Sequence, residues 1–156
     1  MWCYFDSVHP SIIHPNLVSF DYPALKKLLL DPLSENGDLY YQTALFDFRT
    51  DANAHSSLEI APDNAILLFD GVFLQRPELT TYWDFTIFVD VSFEVALARA
   101  LERDLRLFGD RAVVLERYQK RYIPAQQLYM DLCHPRDHAN LVVENDDSLN
   151  AYLIFK

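Results

Sequence analysis

Two short, largely apolar runs stand out along the chain, Ala65 to Phe69 and Phe85 to Val89. Runs of this length predict strands buried on both faces of a parallel sheet. After Ser92 the period lengthens. Val95, Ala98, Leu101 and Leu105 fall on one side of a helix expected to reach about Phe108,. A second helix is predicted from about Ala112 to Tyr122, and a third from Pro124 to about Cys133. Leu141 to Glu144 reads as a last short strand, and Leu149 to Phe155 as a terminal apolar segment. Upstream, Asp21-Tyr-Pro23 opens a helix, with Asp21 as the cap and Pro23 in the first turn,. Leu25, Leu28 and Leu29 form its apolar stripe, and Pro32 is expected to end it,. Ser34 to Asp38 is a turn, Leu39 to Phe48 a strand or hairpin arm, and Arg49 to Pro62 a polar loop,. Met1 to Phe5 could form a short strand, whereas His9-Pro10 and His14-Pro15 interrupt regular structure,. No internal repeat or low-complexity tract occurs.

Buried strands interleaved with helices predict an α/β fold built on a parallel sheet with right-handed crossovers. Ligands of such sheets bind beyond the carboxyl ends of the strands. Asp70 and Asp90 stand at those ends, either facing a ligand or closing a turn. The 156 residues suffice for one domain with its own core,.

Composition narrows the function. Half the residues are hydrophobic and 14% aromatic, which excludes a disordered chain,. No apolar run approaches the roughly 20 residues that cross a bilayer, and no signal peptide is recognisable at the N-terminus. Cys3 and Cys133 lie far apart, so a reduced, cytoplasmic protein is expected, and no Cys/His spacing suits zinc,. His9, His14, His55, His134 and His138 form no catalytic constellation.

A net charge of −10 argues against nucleic-acid binding,. The charge is uneven, with seven basic and four acidic residues between Arg99 and Arg121. That segment suits a small anionic ligand such as a nucleotide phosphate. Composition alone favours a solvated helix laced with i,i+4 ion pairs such as Glu102 with Arg106,.

Several separated motifs occur in an order that resembles the uridine kinase-like group of P-loop kinases. They are Phe20-Asp-Tyr-Pro-Ala-Leu25, Phe46-Asp-Phe-Arg-Thr50, Leu67-Leu-Phe-Asp-Gly-Val-Phe-Leu74 and Tyr82-Trp-Asp-Phe-Thr-Ile-Phe-Val-Asp90. Arg99-Ala-Leu-Glu-Arg-Asp104, Arg117 to Tyr129, Pro135 and Leu141-Val-Val-Glu-Asn-Asp146 continue the series. The resemblance covers about residues 19 to 147. It divides the chain into a divergent segment, 1–18, and a kinase-like domain, 19–156.

The resemblance implies transfer of the γ-phosphoryl group of ATP or GTP, with Mg²⁺, to the 5′-hydroxyl of uridine or cytidine. Such transfer rests on positioning and charge neutralisation. By the same resemblance Asp70 organises Mg²⁺, and Arg99 and Arg103 are lid arginines, joined by Arg106. Asp47 and Arg49 fall at the nucleoside site, where Phe46 and Asp51 stand in place of the family's tyrosine and histidine. Asp47 could instead make only a strand-end hydrogen bond. Arg117 and Arg121 are further candidate substrate contacts. Asp6 is the candidate general base, with an N-terminal turn as its alternative.

One part of the family pattern has no counterpart in these residues. A phosphate loop needs GxxxxGK[ST], whose backbone N–H groups wrap the phosphates while the lysine reaches them. The three glycines, Gly37, Gly71 and Gly109, are widely separated, and none of Lys26, Lys27, Lys120 and Lys156 precedes Ser or Thr. The expected fold is therefore an incomplete P-loop kinase-type parallel sheet with flanking helices, lacking the Walker A strand, loop and helix. The expected function is that of a nucleoside kinase-like chain inactive alone. The alternatives are a non-enzymatic nucleotide- or partner-binding module, or the C-terminal piece of a split or truncated kinase. An open sheet edge further predicts a homo-oligomer or a partner chain that completes the sheet.

Overall fold

The computed structural model describes residues 2–3, 21–43, 46–47, 52–53 and 57–156. The chain forms two compact units, Met1–Leu74 and Gln75–Lys156.

In the first unit, β1 (Trp2–Cys3) pairs in parallel with β6 (Leu68–Phe69). The helix after Asp21 begins as expected. The Asp21 carboxylate accepts from the Ala24 N–H at 3.0 Å, and Pro23 lies in the first turn. It runs as α1 (Tyr22–Leu25), a π turn (Lys26–Leu30) and α2 (Asp31–Leu33), burying Leu25, Leu29 and Leu30. Pro32 lies inside the last turn rather than after the end, which corrects the sequence reading. A proline cannot donate to the carbonyl four residues back. The structure meets this in two ways. The Asp31 N–H reaches back five residues to the Lys26 carbonyl, and the Leu28 carbonyl accepts instead from Gln42 at 2.9 Å.

The stretch read as a polar loop contains strands. β2 (Tyr40–Tyr41) pairs antiparallel with β5 (Glu59–Ile60), and β3 (Phe46–Asp47) with β4 (Ala52–Asn53). Tyr41 is buried opposite Glu59 and donates to its carboxylate at 2.9 Å. That pair is the physical reason a polar residue enters a strand here. The apolar run 65–69 yields only the two residues of β6, and Ile66 and Leu68 are exposed. The expectation of a strand covered on both faces therefore fails there.

The second unit is built on a three-stranded sheet of β7 (Ile87–Asp90), β8 (Leu141–Glu144) and β9 (Tyr152–Phe155). β7 and β8 are parallel and β9 is antiparallel to β8, so the sheet is mixed. The register places Phe88, Val142 and Ile154 on one face, with Val142 fully buried. Ile87, Val89, Leu153 and Phe155 project to the other face and are exposed,. β7 is thus covered on one side only, against the expectation for a strand buried on both faces.

α3 (Phe93–Phe108) follows β7. Ser92 caps it, and Gly109 closes it at φ +70°, a left-handed conformation that glycine adopts without a Cβ penalty,. Its buried side chains are Ala100, Leu101 and Asp104, while Ala98 and Leu105 are exposed. The covered stripe is therefore rotated from the one expected at 95, 98, 101 and 105. α4 (Arg111–Arg117), a π turn (Tyr118–Tyr122) and α5 (Ile123–Cys133) run on without a break. Pro124 begins no separate helix. As at Pro32, the residue before the proline donates five residues back, here Ile123 to the Tyr118 carbonyl. α6 (Pro135–His138) leads into β8. Leu79, Val114, Tyr129, Pro135 and Val142 form the core of this unit.

Candidate functional site

α3 carries three of the basic residues that the sequence singles out, Arg99, Arg103 and Arg106. Its sixteen residues are continuous, so Arg99 and Arg103 stand one turn apart on one face,. They take different partners. The Arg99 guanidinium donates to the carbonyls of Asn145 and Asp146 at 2.8 and 2.9 Å, just beyond β8. Asp146 in turn accepts from the Ser92 N–H at 2.7 Å, tying the start of α3 to the end of β8.

Arg103 turns toward its own neighbour. Its Nε and one terminal nitrogen donate to the two carboxylate oxygens of Asp104 at 2.6 and 3.2 Å. The same terminal nitrogen donates to the Tyr118 hydroxyl at 3.0 Å, and that hydroxyl donates to Asp104 at 2.8 Å. Asp104 is the buried charged residue among the described residues, at 6% exposure, whereas the Arg103 side chain is 73% exposed. The Arg103 hydrogen bond holds the Asp104 carboxyl below its ordinary range against the opposing effect of burial,. The Tyr118 hydroxyl is pushed up to about 12, chiefly by burial and then by its bond to Asp104.

Arg106 is exposed on the last turn of α3. Arg117 stacks over the Phe108 ring at 4.3 Å,. Arg121 lies in the π turn. Glu102 and Arg106 make no ion pair. Ion pairs on these helices include Arg103 with Asp104 and Lys120 with Glu116.

The carboxyl ends of β7 and β8 carry a second cluster. Arg136 of α6 donates to Asp90 at 2.6 Å and to Glu144 at 2.7 Å, residues that lie opposite each other in register. Asp90 thus serves as one jaw of a clamp on the parallel strands. Burial pushes the Cys133 thiol up, away from the thiolate form,. No group of three or more His, Cys, Asp or Glu side chains that could hold a metal occurs among the described residues.

In the first unit Asp70 is exposed directly after β6, and Asp47 lies in β3 opposite Ala52. Asp6 and Arg49 lie outside the described residues. Asp47 and Asp70 thus lie in the first unit, and Arg99, Arg103, Arg106, Arg117 and Arg121 in the second.

Residues 21–149 match the Phosphoribulokinase / Uridine kinase family. The chain belongs to that family. A uridine kinase of Clostridium botulinum (strain Langeland / NCTC 10281 / Type F) is 24% identical over 135 residues, 80% of this chain and 66% of that protein. A uridine kinase of Proteus mirabilis (strain HI4320) is 26% identical over 138 residues, 83% of this chain and 62% of that protein. The chain thus spans less than two thirds of the length of both uridine kinases. No helix among the described residues is long and apolar enough to cross a membrane.

Three residues of this family member escaped the sequence reading. Asp104 sits three and four places after Leu101 and Ala100, a carboxylate on the buried stripe. A charge at that position signals an internal partner. Tyr118 and Arg136 left no comparable signal: Tyr118 meets Asp104 across 14 residues, and Arg136 meets Asp90 across 46 and Glu144, eight away, on a different element.

Proposed function

We propose that this chain takes part in nucleoside-kinase chemistry by binding the phosphates of ATP or GTP through Arg99, Arg103 and Arg106. On this reading the 156 residues alone do not transfer the phosphoryl group to uridine or cytidine. The observation that carries the reading is the largely exposed side chain of Arg103 on a family-matched helix, in a sequence with no GxxxxGK[ST] pattern. Without that loop the terminal phosphates lose the backbone donors and the lysine that stabilise them during transfer. The residues present fit the nucleotide and its metal in part. Mg²⁺ keeps most of its waters and needs only one or two carboxylates beside phosphate oxygens, a requirement the exposed Asp70 meets as a single ligand,. Bound Mg²⁺ would neutralise phosphate charge. Within the second unit Arg99 and Arg103 would orient nucleotide phosphates, and Asp47, Arg49, Arg117 and Arg121 are the proposed nucleoside-side contacts. Asp6 remains the proposed general base.

The test is a coupled assay with ATP, Mg²⁺ and uridine, beside an ATP titration. Binding weakened about tenfold by Arg103→Ala, without turnover, is expected from the loss of a charge-assisted contact. Repeated turnover by the isolated chain would overturn the reading.

A second copy of the chain is the proposed partner. Its support is β7, which pairs with β8 alone among the described strands and presents Ile87 and Val89 on an exposed face,.

A further inference from the structure

We propose that Asp104 and Tyr118 are positioning residues for Arg103, fixing its guanidinium so that it meets an anionic phosphate already oriented. The inference rests on the nucleotide-binding reading above. The helix places a carboxylate next to an arginine in sequence, where the two side chains would ordinarily diverge by about 100° around the axis. Here they converge. Asp104 points to the core and Arg103 folds back over it with two parallel N–H···O bonds. Tyr118 closes the arrangement from the neighbouring helical run. It accepts from Arg103 and donates to Asp104, so one hydroxyl serves both partners.

Tyr118 reaches this position from the first residue of the π turn, the widened segment that precedes Pro124. Tyr122 packs edge-on against its ring at 4.9 Å, limiting its rotation,. The network takes up three N–H···O bonds of the guanidinium, while the side chain as a whole is 73% exposed. A free arginine loses rotamer entropy when it binds an anion. An arginine already held by a fork-to-carboxylate pair and a hydroxyl has lost much of it beforehand. A purely structural ion pair would explain the bonds to Asp104. It would not predict that Tyr118 affects ligand affinity only through Arg103.

The experiment is a double-mutant cycle read by titration of ATP with Mg²⁺. Arg103→Ala is expected to weaken binding about tenfold and Tyr118→Phe about threefold. The double variant is expected to bind no more weakly than Arg103→Ala alone. Equal weakening by Tyr118→Phe in both backgrounds, or none in the wild-type background, overturns the positioning role while leaving the nucleotide reading intact. No effect of Arg103→Ala overturns the nucleotide reading and the inference with it. A second measurement needs no nucleotide, namely hydrogen exchange at the Arg103 Nε–H, followed by NMR. Slow exchange that quickens in Tyr118→Phe and in Asp104→Asn is expected. Exchange unchanged in Tyr118→Phe would show that the hydroxyl does not hold the guanidinium.

Discussion

Asp104 shows what a single buried charge decides in this protein. Its carboxylate is held by Arg103 and Tyr118, so removing the charge leaves an arginine and a hydroxyl without their acceptor,. Folding stability should follow the two titrations with opposite signs. The folded Asp104 titrates below its ordinary 3.8, so its contribution is present above about pH 4 and is lost as the pH falls through the folded value,. Tyr118 is raised from 10.0 to about 12, so its contribution is present below pH 10 and is lost as the pH climbs between those values,. Denaturant midpoints measured across pH should show both limbs. Tyr118→Phe should abolish the alkaline limb, and an alkaline limb unchanged in that variant would disprove its origin here. Arg99 and Arg103 were singled out through the family resemblance, and the structure places both on α3, one turn apart. Their contrasting partners were not legible, because Asn145, Asp146 and Tyr118 reach them only through the folded chain.

At the scale of elements, local chemistry was the legible part. Asp21 and Ser92 as caps and the strand Leu141–Glu144 appear where the sequence places them. The misreadings share a cause. Proline was taken as a stop at Pro32 and a start at Pro124, whereas both lie within continuous helical runs with a π turn upstream. A π turn supplies an extra residue and shifts the donors, which lets a proline pass without a broken run. Hydrophobic runs likewise overstated coverage, since periodicity cannot tell a strand covered on one face from one covered on two. Two glycines provide tests at this scale. A Cβ at Gly37 would lie 2.1 Å from the Pro32 carbonyl oxygen, so Gly37→Ala should destabilise the first unit by about 2 kcal/mol or more,. Gly109→Ala meets open space at φ +70° and should cost only about 1 kcal/mol,. Thermal or denaturant unfolding would rank them. The reverse order would contradict the backbone geometry assigned to both. In the second unit, Val142→Ala should cost about 2 kcal/mol, because Val142 is fully buried on the covered face of the sheet,.

For the whole molecule, family membership was visible in the order of separated motifs, while the mixed direction of the sheet was not. The terminal apolar segment was assigned no element from sequence. Pairing with β8 made it an antiparallel strand. A second copy completing the sheet should appear as a dimer in sedimentation at micromolar concentration, and a stable monomer there would contradict that proposal. The central proposal joins sequence to chemistry: the arginines of α3 are proposed to bind nucleotide phosphates without transferring them, because the GxxxxGK[ST] pattern that builds a backbone cradle does not occur in these 156 residues,. Its most direct test is uridine monophosphate formation by this chain alone, with ATP and Mg²⁺ and with nucleotide binding followed in the same samples. The account predicts ATP binding sensitive to Arg103→Ala and no product. Multiple turnovers of uridine lost on Arg103→Ala would contradict it.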